Sequence, residues 1–445
     1  MGILESLLAG LRTVSGSFPD ARRGAIDYPM ADVTMAAFSM FFMQSESFLG
    51  YQKRLERGQN DSNCRTLFGI AKIPTDNHIR TLLDRVAPDS LRPCFDQALE
   101  TLAEQDGLRD FQRLGGRLLV ALDGTEYFVS QKICCPRCLK RERSSGKTEY
   151  YHALLGATLV APGHNRVLPL VPEFIAAQDG QVKQDCERNA AKRWLKDHGP
   201  HLARLRPIYL GDALFACQPL AEAVRATGAD FLFVSKPESH KTLYEYLRGA
   251  EFQQHTVAER RPEGHSQTYG YRWTETMPLR DGKDALAVQW LEITITNSVG
   301  KTTYRNAFVT SLGITADNVA ELAACARARW KVENENFNVL KNNGYNLAHN
   351  FGHGNSIWRP PLPRSICWPS PSTPSWTAWK PAGNRPAKPS ARAKPSSPTS
   401  TASPATACFQ TGRSYFLPWF PAKLPPLRIA GLTSSRSPVG TAAGF

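Results

Sequence analysis

Three things are scarce in this 445-residue chain: long apolar runs, densely spaced cysteines and, near its end, acidic residues. The longest apolar stretch near the start, Met35–Met43 (MAAFSMFFM), is far short of the ~20 residues that cross a bilayer. No charged segment with a small-residue cleavage site precedes it, so the expected compartment is the cytoplasm and no membrane partner is expected. Ten cysteines scattered along the chain do not form the framework of a small secreted domain and are expected to be mostly buried thiols. From Asn355 onward there are eleven Lys and Arg but no Asp or Glu, so that tail carries most of the net charge of +14 and leaves +3 for the body. A basic composition of this origin says little about nucleic acid binding.

The remainder has the apolar content to bury a core. Residues 1–112 have helical patterning, with apolar faces over Ala31–Leu55, Asn77–Val86 and Ser90–Ala103, and are expected to form a helical N-terminal domain. At Leu118–Leu122 the pattern changes to a continuous apolar run ending at Asp123, as in a strand buried on both faces. Tyr127–Ser130, Tyr151–Val160 and Arg166–Val171 are further expected strands. A helix over Asp185–Lys196, a buried run Pro207–Leu210 ending in Gly211-Asp212, a helix Gln218–Thr227 and a strand Asp230–Val234 predict an α/β core with some parallel pairing. Residues 236–305 alternate like antiparallel strands and are expected to form a β-rich insertion between core segments 113–235 and 306–354. The second segment carries Phe308–Thr310 and a long helix from about Thr315 to Lys341.

Three carboxylates stand out. Asp123 and Asp212 each follow a buried run, and Glu333 falls in the helix stripe Ala326, Trp330, Phe337, Leu340. Glu335, about 200° around an ideal helix, is expected on the solvated side. Arg329 lies at i−4 from Glu333, where it could orient that carboxylate or reach a phosphate. Two Asp at strand ends and a Glu from a helix can hold a pair of hard divalent cations, the arrangement of a phosphoryl-transfer site. Glu126 and Glu335 are the local competitors of Asp123 and Glu333, disfavoured by position and helix face. A glycosidase built on a carboxylate pair would leave the Arg329–Glu333 pattern unexplained.

The segments LLVALDGTEYF around Asp123, PIYLGDALFA around Asp212 and ARWKVENENFNVLKNNGYNLAHNFGHG around Glu333 resemble the DDE transposases of bacterial insertion sequences, in the group typified by insertion sequence 4. The resemblance spans about residues 20 to 354. It implies an RNase H-like mixed sheet with flanking helices, interrupted by the β-rich insertion before the Glu helix. It further implies Mg²⁺ or Mn²⁺ bound by Asp123, Asp212 and Glu333, and cleavage and joining of double-stranded DNA at terminal inverted repeats and target sites. A homodimer on DNA and association with the nucleoid are compatible with it, and the N-terminal helices would bind the element's ends. The group's signature runs Tyr, two residues, Arg, three residues, Glu, six residues, Lys. Arg329 and Glu333 match it, Ala326 stands at the Tyr position, and Leu340 at the Lys position with Lys341 next. Arg329 and Lys341 are the expected phosphate contacts.

Cys134, Cys135 and Cys138 form a CxxC-like cluster with His152 downstream. Zinc at Cys135 and Cys138 is the lesser reading, because a second CxxC is absent, and a thiol-rich loop between strands the favoured one. The basic loop Lys140–Lys147 could touch phosphates, although such runs are commonly solvated. His349 and His353 are expected to shape the turn that leaves the helix. Residues 355–445, rich in Pro and Ser, are expected to be disordered. They also read as a frameshift: G+C-rich back-translation of Asn355 onward, shifted by one nucleotide, can yield the helix-like QHLAATLATLNLLAF. This reading predicts a chain that keeps its three metal ligands but has reduced stability and little or no transposition. Its alternative is a non-catalytic DNA-binding relic of a transposase.

Overall fold

A computed structural model of the protein describes residues 2–348 apart from 46, 57–60, 71–73, 177–183 and 261–265. The expectations for the tail 355–445 and for His349 and His353 therefore lie outside the described residues.

Six helices come first: α1 (Ile3–Gly16), α2 (Met30–Phe42), α3 (Phe48–Glu56), α4 (Asp61–Thr66), α5 (Asp76–Leu83) and α6 (Arg92–Glu104). Their starts follow local chemistry. The Thr75 side chain accepts the His78 N–H at the head of α5, and α6 has Pro93 in its first turn, where a missing N–H costs nothing. The continuous helix expected over Ala31–Leu55 is two helices, because Gln44 adopts a positive φ of 52° and breaks the run.

The chain then builds β1 (Leu119–Ser130), β2 (Leu139–Glu142), β3 (Thr148–Val160), β4 (Leu168–Pro169), β5 (Glu173–Ile175), α7 (Glu187–Leu202), β6 (Ile208–Gly211), α8 (Gln218–Ala226), β7 (Asp230–Ser235) and α9 (Lys241–Leu247). Next come β8 (Gln253–Arg260), β9 (Ser266–Pro278), β10 (Ala287–Asn297), β11 (Thr302–Thr310) and α10 (Val319–Arg327). A 3₁₀ turn (Ala328–Trp330), a π-helical turn (Val332–Phe337) and α11 (Asn338–Asn342) complete the described chain.

One mixed sheet runs β2-β3-β1-β6-β7-β11-β10-β9-β8, with β4 and β5 pairing β3. β1–β6 and β6–β7 are parallel, and the other pairs are antiparallel. The expected insertion is antiparallel, as its alternating pattern indicates. It is not a separate sheet: β8–β11 extend the core sheet from the β7 edge, with α9 as an additional helix.

The central strands are apolar throughout because both faces are covered. Leu119, Ala121, Ile208, Leu210, Leu232 and Val234 enter one apolar layer, with residues of α1, α2, α10 and α11. Val120, Leu122, Tyr209, Phe231 and Phe233 enter the other, with Ala190 and Trp194 of α7, Leu220 of α8 and Leu243 of α9. The result is a sheet between two helical layers, a mixed α/β architecture. Among the described residues no helix is long and apolar enough to cross a membrane.

Candidate active site

β1 does not end at Asp123, as its sequence suggests; it continues to Ser130, paired with β3 except at Tyr127, where the register shifts. What ends is the parallel ladder. The last β1–β6 pair is Ala121↔Leu210, so Asp123, within β1, and Asp212, directly after the end of β6, each lie two residues beyond it. The period of two puts Asp123 on the face of Leu119 and Ala121, and Asp212 continues the register of Ile208 and Leu210. That is the face covered by the segment carrying Glu333. Gly211 permits the turn into Asp212, since a Cβ there would lie 2.7 Å from Phe215 Cβ. Asp212 Oδ1 then accepts the Leu214 N–H at 2.8 Å, and Asp123 Oδ1 accepts the Gly124 N–H at 3.1 Å.

The Glu333 segment is tied to the sheet at several points. Phe337 packs onto Gly156, the cross-strand partner of Asp123, where a Cβ would come within 2.5 Å of the ring. Asn336 Nδ2 donates to Thr158 Oγ1 at 2.9 Å, and Lys331 Nζ donates to the His164 carbonyl. The helix is not the uninterrupted α-helix that the apolar stripe predicts. Trp330, expected inside the stripe, is 46% exposed. Glu333 is itself exposed rather than inward, and Glu335 is half-buried. The expected inward Glu333 and solvated Glu335 are therefore not what the structure shows; in charge environment, Glu333 acts on Asp123 and Lys341, whereas Glu335 acts on Lys331.

The π turn accounts for the displaced lysine. Its i→i+5 bonding absorbs one residue more than an α-turn. Lys341 therefore falls near the row that residue 340 would occupy in a plain α-helix, about 100° away. Leu340 is buried at 1% exposure, and Lys341 Nζ donates to Thr125 Oγ1 at 2.6 Å, two residues from Asp123. Arg329 reaches Asp123, with Nη1 3.3 Å from Oδ2, rather than the i+4 carboxylate of Glu333. The competitor Glu126 is engaged in an ion pair with Arg141, which also binds Glu149 at 3.0 Å.

A fourth carboxylate, Glu187, joins from the opposite layer. It opens α7, and a Cβ on Gly124 would lie 2.1 Å from its Oε1, so its carboxylate rests on the backbone beside Asp123. The start of α7 is braced by Arg193, which binds Asp185 at 2.8 Å and Glu173 of β5 at 2.8 Å. In sequence Glu187 looks like an ordinary acid in the first turn of a helix, where the macrodipole favours negative charge. Nothing local separates it from any other such residue.

The crowding has an electrostatic cost. Burial pushes the Asp123 carboxyl up to about 6, opposed by Arg329 and reinforced by Asp212 and Glu333. Burial, with the charges of Asp123, Asp212 and Glu126, pushes Glu187 up to about 7. The carboxylates do not close into a ligand set: among the described residues the one group of three or more His, Cys, Asp or Glu ligand atoms within 4.8 Å of one another is Cys135, Cys138 and His152, so Asp123, Asp212 and Glu333 stand near one another without meeting at a common point. No protein-family model matches the chain, and no characterised protein matches it in sequence.

Proposed function

We propose that the protein is a metal-dependent DNA transposase acting by phosphoryl transfer at Asp123, Asp212 and Glu333. The observation that carries this reading is the placement of Asp123 and Asp212 each two residues beyond the end of the parallel ladder, with Glu333 approaching from the covering helix. An antiparallel β3–β1 pair followed by parallel β1, β6 and β7 supports an RNase H-like core. The sequence resemblance to insertion-sequence transposases supplies the substrate class.

Asp123, Asp212 and Glu333 would hold two divalent cations, with Glu187 beside them, and such ions would supply Lewis acidity for the attacking oxygen and charge neutralisation for the leaving one. The chain's own residues orient the strand. Arg329 fixes Asp123 and has further guanidinium N–H groups for phosphate oxygens, and Lys341 presents an ammonium from the other side of Glu333. In cleavage, the oxygen of water forms a bond to phosphorus as the bond to the 3′ bridging oxygen breaks. In strand transfer the released 3′-hydroxyl attacks a target phosphodiester in the same way.

The test is divalent-metal-dependent nicking of duplex DNA bearing the element's own ends, by this chain, its Asp212→Ala variant and a version read in the alternative frame after Asn355. Nicking by that version, abolished by Asp212→Ala, is the expected result. End binding without nicking in both wild-type forms would replace this reading with the non-catalytic relic.

A further inference from the structure

We propose that Cys135, Cys138 and His152 form a second metal site, one that takes a zinc-class divalent cation in tetrahedral geometry and clamps the β1–β2 loop onto β3. The argument starts from the ligand atoms. Cys135 Sγ and Cys138 Sγ are 3.6 Å apart, and each lies 3.3 Å from His152 Nε2. In a tetrahedral site with Zn–S of about 2.3 Å and Zn–N of about 2.05 Å, the corresponding edges are about 3.8 Å and about 3.6 Å. The three atoms already sit within roughly 0.3 Å of a coordinating triangle.

The surroundings fit the same role. Cys135-Pro136-Arg137-Cys138 forms a tight turn, closed by Cys138 N–H to the Cys135 carbonyl at 3.0 Å. In the reverse direction, Cys135 N–H donates to Cys138 Sγ at 3.2 Å, a contact that favours thiolate. His152 is 5% exposed and its ring stacks on Tyr127 at 5.7 Å, which fixes the plane in which Nε2 points. Tyr127 holds that position because the β1–β3 register slips by one residue between Glu126 and Phe128. Cys138 is 3% exposed and Cys135 is half-buried, so the fourth position opens toward solvent on the Cys135 side.

This site is separate from the carboxylates. His152 pairs with Phe128 and Gly156 with Asp123, four residues farther along β3, or about 13 Å along the strand. Two thiolates and an imidazole select zinc, as oxygen ligands select magnesium, so the two sites call for different ions. Binding converts both thiols to metal-bound thiolates and releases two protons to solvent; no oxidant or reductant is involved.

The experiment uses the reduced full-length chain, without DNA or Mg²⁺, titrated with Co²⁺ and then Zn²⁺. The expected result is thiolate charge-transfer absorption and intense visible bands that saturate at one Co²⁺ per chain and are displaced by Zn²⁺. Cys138→Ala and His152→Ala abolish the spectrum. Cys135→Ser, a milder change in the half-exposed loop, weakens Co²⁺ binding at least tenfold with unchanged far-ultraviolet circular dichroism, and Cys134→Ser leaves the spectrum intact. Absence of the spectrum in the reduced wild-type chain overturns the proposal, as does a spectrum indifferent to Cys135→Ser or one lost with Cys134→Ser. None of these outcomes depends on nuclease activity.

Discussion

Gly156 is the position where a single added methyl group reports on how the Glu333 helix is seated. An Ala Cβ there would lie 2.5 Å from Phe337 Cζ and 2.6 Å from Cε1. Ordinary contact needs about 3.5–4.0 Å, so the ring must retreat by more than about 1 Å. Phe337 is 3% exposed and leaves its ring little room to turn away, so the helix moves with it. Replacing Gly by Ala in a strand would otherwise favour folding by about 0.5–1 kcal/mol. Overpacking of this size costs about 1–3 kcal/mol, so the net expectation for Gly156→Ala is a loss centred on about 1 kcal/mol and reaching at most about 2.5 kcal/mol. The assay is urea denaturation of wild type, Gly156→Ala, Phe337→Leu and the double variant. The smaller side chain should relieve the clash, giving a favourable coupling of about 0.5–3 kcal/mol between the two positions. Additive costs, or a Gly156→Ala protein more stable than wild type, would refute the packing argument.

Two other expectations follow from the cluster. Asp123 and Glu187 have folded-state pKa values raised above the usual 3.8 and 4.5, to about 6 and about 7. The folded chain thus holds protons that the unfolded chain releases, a contribution present at low pH and lost as pH rises through those values. For these groups, the metal-free protein should lose stability from about pH 5 to about pH 8, and Glu187→Gln should reduce the loss while Mg²⁺ reverses it at the upper end; thermal denaturation at the two pH values measures this. Lys341→Ala should weaken binding to duplex DNA and lower the salt-dependence slope by about 1. Leu340→Ala should leave the slope unchanged and cost about 2–5 kcal/mol of stability, as for a buried leucine.

Much of the architecture was legible because the core strands are short, doubly buried and separated by clear helical patterns. Leu118–Leu122 and Pro207–Leu210 announced the two strands that position the Asp residues, and the alternating residues 236–305 announced antiparallel pairing. Strand ends were less legible. Nothing within β1 marks where its β6 partner stops, so Asp123 looked terminal although only the parallel ladder ends near it. Helix phase failed for a related reason. A constant 100° per residue puts Trp330 inside and Lys341 out of line, but the 3₁₀ and π turns change that phase, and they accompany long-range contacts to Gly156, Thr158 and His164. Glu187 was invisible for the same reason, since its place beside Asp123 depends on how α7 docks.

The most direct test of the central claim is metal-dependent nicking by the version read in the alternative frame after Asn355, carrying Glu333→Gln or Glu335→Gln. The account predicts that Glu333→Gln removes nicking while retaining DNA binding, and that Glu335→Gln, on the Lys331 side, leaves the rate within a fewfold of wild type. Full activity in Glu333→Gln, or equal loss in both variants, would contradict it.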